Sequence, residues 1–444
     1  MTTRVPAQVC ESDHVRVDQE SGSESRQTPA VVVASPRWFR RSVPLWAAFV
    51  LVHLLLIWVS FIAQGWPLGD VERVYRGWAE GAASGDFVVG ITTEFVYPLL
   101  AFLPIFAALA WGPDSYALTW LMLVTLLNAC AFAWLLGGWR KPSNAGAAWW
   151  WLGFLLLLGP IALARIDSVT VPLVVMALLW LRTRPLGATA LLTAATWVKV
   201  WPAAIIAALF LVARERWRVV AVVVGSSSLI VLVSLLLGSG ANVFSFVFQQ
   251  TNRGIQIESP IAGWWMWQAV FRVPGSYVYY DHEILTYQVT GAGIEAAAAA
   301  MTPILVVAVA AVLLLGWLAQ RRGARAADLF PPLVLALVVC LIAFNKVGSP
   351  QFISWLAAPV ILGLTLRWRG WHTPAFVVAV LAALTQLVYP YLYDYLLVAD
   401  PLLVLVLTLR NLLEFVLLGW AVVQIWTLRD PHRHFAALAL PLKE

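Results

Sequence analysis

The sequence predicts an all-α polytopic membrane protein on three observations. Of the 444 residues, 61% are hydrophobic and only 12% are charged, with a mean hydropathy of +0.81. Apolar runs recur along the chain at lengths close to the ~20 residues that one helical crossing of a bilayer needs. The basic residues, which set a net charge of +6, gather in alternate connections between those runs. That pattern marks cytoplasmic loops rather than a nucleic-acid surface.

Taken in chain order, residues 1–36 are polar and lack the apolar core of a signal peptide, so they read as a disordered cytoplasmic tail. Residues 37–430 read as one integral membrane domain, and 431–444 as a second cytoplasmic tail. Apolar runs bounded by charge, Gly or Pro give about twelve spans, near 44–65, 115–138, 147–164, 168–182, 186–198, 201–213, 217–238, 291–318, 329–344, 352–366, 374–391 and 402–427. Several are short for a perpendicular helix, so their ends are expected to extend into the flanking residues. No 20–50-residue period and no inverted repeat stands out.

The RRSVPLW flank of the first span places the N-terminus inside. Counting from there, the inner loops hold Arg140/Lys141, Arg182/Arg184, Arg214/Arg216/Arg218, Arg321/Arg322/Arg325 and Arg367/Arg369. With the two tails they carry 21 of the 29 basic residues, and the outer side carries seven. This bias puts both termini in the cytoplasm of a multi-pass inner (plasma) membrane protein. It also means that the apolar run 96–111, interrupted by Pro98 and Pro104, cannot cross without inverting every later loop. It is expected to be a re-entrant or interfacial helix within a long external loop at 66–114, with a second long external loop at 239–290.

The outer charges are candidates for chemistry. Asp70 opens the first long loop in PLGDVERVYRGW, Arg165 and Asp167 close the third span, Lys199 sits between two short spans, and Lys346 follows the ninth. Boundary charges of this kind are expensive unless paired or used. Three outer cations around one cavity would suit a phosphate at the membrane surface, and Asp70 would suit a general base. Plainer readings stand beside these. Asp70 could cap the helix after it, Lys199 could snorkel to headgroups, and Arg165 with Asp167 could form a local pair. Arg410 and Glu414 have the i,i+4 spacing of a buried bridge, His282 reads as an exposed loop residue, and the Trp-rich 264–271 stretch suits either sugar stacking or an interfacial belt. The three cysteines suggest neither disulfide nor metal site, and no metal-ligand cluster or cofactor motif is visible.

Several motifs occur in order: GDVERVYRGWAEGAASGDFVVGITTEFVYPLLAFLP, ARIDSVTVPLVVMALLWLRTRP, TWVKVWPAA, TNRGIQIESPIAG and NKVGSPQFISWLAAPVIL. Together they resemble glycosyltransferase family 87, the actinobacterial type of polyprenyl-phosphate-dependent GT-C membrane glycosyltransferases. The resemblance spans about residues 66–366, and departs where Leu99 replaces the second proline of a Tyr-Pro-Pro loop. It implies a GT-C-like fold with interfacial helices in the first outer loop, and Asp70 as catalytic base. It also places Tyr97, Lys199, Arg253, Gln256, Glu258, Lys346 and Gln351 in family motifs, alongside Arg165 as a candidate contact for donor phosphate or substrate. The implied reaction is inverting transfer of a sugar, with mannose the expected one, from a polyprenyl-phosphate donor to a glycolipid or lipoglycan hydroxyl on the outer face. No nucleic acid is expected as a partner. A transporter or flippase for lipid-linked sugars, or a non-catalytic binding protein for them, is the alternative expectation.

Overall fold

The computed structural model describes residues 41–137, 142–249, 253–366 and 368–428. Both expected tails, 1–36 and 431–444, lie outside these residues, as do Arg140, Lys141 and Arg367. The chain begins with helix α1 (Ser42–Ile62), then enters the first long loop, which carries α2 (Arg76–Ser84) and α3 (Phe102–Ala107). Helices α4 (Tyr116–Leu136), α5 (Ala145–Leu158), α6 (Asp167–Trp180), α7 (Pro185–Thr196), α8 (Ala203–Val212) and α9 (Arg216–Leu236) follow. The second long loop holds α10 (Ser245–Phe248), α11 (Gly263–Val270) and the strands β1 (Tyr277–Asp281) and β2 (Thr286–Thr290). Helices α12 (Ile294–Arg321), α13 (Ala326–Ala343), α14 (Ala357–Leu366), α15 (His372–Gln386), α16 (Tyr393–Leu397) and α17 (Pro401–Thr427) complete the bundle.

Among the described residues, eight helices are long and apolar enough to cross a membrane, and four further apolar helices are shorter. The twelve expected spans therefore resolve into eight full-length helices and four short ones. The short ones lie at α6 to α8 and at Pro350–Leu366. Proline accounts for much of this: Pro185 starts α7, Pro202 precedes α8, and Pro350 opens a 3₁₀ segment ahead of α14. The 96–111 run likewise forms no span, since its helical part is the 3₁₀ turn Leu99–Ala101 joined to α3.

Burial sorts the helices. α13 packs against α8, α12, α14 and α17, and nearly all its residues are buried. α9 and α12 bury few residues and present apolar faces outward, as helices bathed in lipid do. The one sheet among these residues is the antiparallel β1–β2 hairpin, in register from Tyr277 opposite Thr290 to Asp281 opposite Thr286. Its sequence, YVYYDHEILTYQVT, is rich in aromatic and β-branched residues, which favour strands over helices.

Candidate active site

A cavity of about 960 Å³ opens where the two long loops meet the bundle, and all nine candidate side chains line it. Asp70 is the first residue of a π-helical segment, Asp70–Tyr75, whose N-cap position is held by Gly69. Helix capping therefore does not explain it. Beneath the segment, buried Tyr75 packs with Trp78 and Trp120 and meets the Tyr97 hydroxyl at 3.4 Å. Burial pushes both phenols above the ordinary tyrosine range.

Asp70 is held from one side by Arg165, whose Nε lies 3.1 Å from its carboxylate. Arg165 is buried and otherwise occupied. It donates to the carbonyls of Pro67 and Ala164 and, at 3.1 Å, to the Tyr389 hydroxyl, which also lies 3.2 Å from the Gly65 carbonyl. Gly65 is required at its position: its φ is +77°, and a Cβ there would sit 2.3 Å from the Pro390 carbonyl oxygen. The expected local pairing of Arg165 with Asp167 is thus replaced by a long-range one. Asp167 instead accepts from Trp355 Nε1 at 2.7 Å and faces Lys199 at 3.8 Å. Lys199 does not run out to solvent; its ammonium lies 4.5 Å from the Tyr97 ring centroid.

The remaining cations come from residues 253–258 and 345–351. The Gln256 amide donates to the Lys346 carbonyl, and Ile257 and Val289 bond across to β2 and the 255 carbonyl, so this strand-like segment runs along the hairpin. Gly348 lets the two segments touch, because a Cβ there would lie 2.0 Å from the Ser259 nitrogen. Lys346 and Arg253 are consequently within electrostatic reach of each other. Burial, and then the Arg253 charge, lower the Lys346 amine below its ordinary value, and burial lowers Arg253 as well. The Arg253 Nε is buried without a hydrogen-bond partner. Two cations so close, and so costly to desolvate, form a site of high positive potential. Gln256 is buried and Gln351 half-buried beside them.

A further expectation is corrected. Arg410 does not bridge to Glu414 one turn away; it donates to the Glu258 carboxylate and carbonyl, each at 2.7 Å, tying the second loop to α17. Glu258 is thereby buried and tied to Arg410 at the cavity edge. The Trp-rich 264–271 stretch forms α11 and does not line the cavity; Trp267 donates to Thr408 of α17 and Trp264 points outward. The tryptophans that do line it are Trp66, Trp78, Trp201 and Trp355, the last two stacked at 5.6 Å. His282 is exposed at the hairpin turn. Tyr389, Tyr393 and Asp394 also line the cavity, and the sequence reading missed them. Their cluster YPYLYDY, a polar-aromatic break at the end of an apolar span, was the available signal.

No curated protein and no solved structure matches the chain. The profile of glycosyltransferase family 87 matches residues 95–343. That stretch, more than half of the sequence, contains Tyr97, Arg165, Lys199, Arg253, Gln256 and Glu258, while Asp70, Lys346 and Gln351 flank it. The cavity built above therefore sits in a membrane protein that belongs to glycosyltransferase family 87.

Proposed function

We propose that this transferase moves a sugar, mannose by our reading, from a polyprenyl-phosphate donor to a glycolipid or lipoglycan hydroxyl at the outer face, with inversion. The observation that carries the reading is the gathering of Asp70 with Arg253, Lys346 and Lys199 around one cavity. In the reaction, the acceptor oxygen attacks the anomeric carbon and its proton passes to the Asp70 carboxylate. The bond from that carbon to the phosphate oxygen breaks, and the phosphate departs with the electron pair. Arg253 and Lys346 face that developing charge, as preorganised cations do in transferases generally. Arg165 and Lys199 already face carboxylates, so they serve to aim Asp70 and to close the cavity wall. The charge bias of the loops supports an outward-facing cavity and cytoplasmic termini, with one membrane domain over 37–430.

The test is Asp70→Asn in the purified, folded protein, assayed with labelled polyprenyl-phosphate mannose. Loss of a general base lowers kcat by roughly 10²–10⁴-fold, and wild-type turnover in the variant would refute the assignment.

A further inference from the structure

The cavity holds chemistry that phosphate binding leaves unused. Four tyrosine rings run in contact through it: Tyr280 and Tyr287 have centroids 4.8 Å apart, Tyr287 and Tyr393 5.9 Å, and Tyr393 and Tyr389 5.1 Å. The row starts on the exposed hairpin and ends at Tyr389, which hydrogen-bonds the arginine that holds Asp70. Tyr280 is itself within electrostatic reach of Asp70. Two exposed carboxylates, Glu283 and Asp394, line the same cavity. Tyr277, on the same hairpin and 58% exposed, does not.

We propose that Tyr280 and Tyr287, with Glu283 and Asp394, form the acceptor subsite and take a neutral hexopyranoside. This rests on the transferase reading above. Aromatic faces bury the C–H face of a pyranose ring, and carboxylates accept short hydrogen bonds from sugar hydroxyls. The same carboxylates repel an anionic headgroup, so the two substrates are sorted by charge. Phosphate belongs with Arg253 and Lys346, and the uncharged glycan with the tyrosines. An acceptor ring laid along the row is led toward Asp70.

The experiment is equilibrium binding of n-octyl α-D-mannopyranoside to the full chain in nanodiscs, without donor. Tyr280→Ala and Tyr287→Ala each weaken binding of the mannoside about tenfold, while Tyr277→Ala leaves it at the wild-type value. Tyr280→Phe, which keeps the ring, recovers most of what Tyr280→Ala loses. Glu283→Gln with Asp394→Asn also weakens binding of the mannoside, because neutral amides accept less strongly from sugar hydroxyls than carboxylates do. The inference is overturned if the wild type does not bind the mannoside or if Tyr277→Ala weakens binding as much as Tyr280→Ala. Unchanged binding in both alanine variants, or in the double carboxylate variant, overturns it too. No donor is present, so these outcomes do not depend on whether transfer occurs; transfer is scored separately by the Asp70→Asn assay.

Discussion

At the scale of single residues, the site is a set of charges whose partners were chosen over long distances in sequence. Lys346 has the sharpest consequence. Burial and Arg253 hold its pKa below the ordinary lysine value, so the amine loses its proton sooner than usual as pH rises. The kcat/KM for a phosphate-linked donor should fall on a limb that lies below the usual lysine titration. Lys346→Arg, which stays charged, should remove that limb in a pH-rate profile. Arg410 carries a second prediction. Arg410→Ala strands buried Glu258 and should destabilise the protein by about 3–5 kcal/mol, whereas pairing Arg410→Met with Glu258→Gln should recover much of it in thermal melts. The residues themselves were legible in the sequence; their partners were not. Local spacing sees only near neighbours along the chain, so it offered Glu414, four positions on, for Arg410 and Asp167, two positions on, for Arg165. The partners found, Glu258 and Asp70, lie 152 and 95 positions away, where only tertiary folding brings them in.

At the scale of elements, the cavity depends on the close approach of two loop segments, 253–259 and 346–349. Gly348→Ala puts a methyl group into the Ser259 backbone, which the chain can relieve only by separating Arg253 from Lys346. It should raise the donor KM more than tenfold and cost about 1–3 kcal/mol of stability, as overpacked sites do. Donor titrations and a melting curve of the same preparation check both effects. The helices were readable because apolar runs and proline breaks are local signals. The hairpin was not, because its alternation lies in a polar loop between spans and is satisfied by pairing with 255–257 as well as with itself.

At the scale of the whole molecule, the positive-inside asymmetry makes a claim about sides. Once Cys10, Cys130 and Cys340 are replaced by alanine, a single cysteine at Ser84, in the first long loop, should react with a membrane-impermeant maleimide in intact cells. One at Thr183, between α6 and α7, should react only after permeabilisation. Composition alone conveyed the membrane class, and the ordered motifs conveyed the family. The number of full crossings stayed beyond them, because α6 to α8 are short and their ends are set by packing among neighbours. The hairpin has a bearing on how such a chain diversifies. Tyr277 pairs directly with Thr290, so the backbone leaves the bundle and returns at adjoining points. The turn residues 282–285 can be exchanged, lengthened or trimmed without shifting any spanning helix. A lineage can therefore rewrite what meets the outer rim of the cavity while the machinery beneath it is inherited intact.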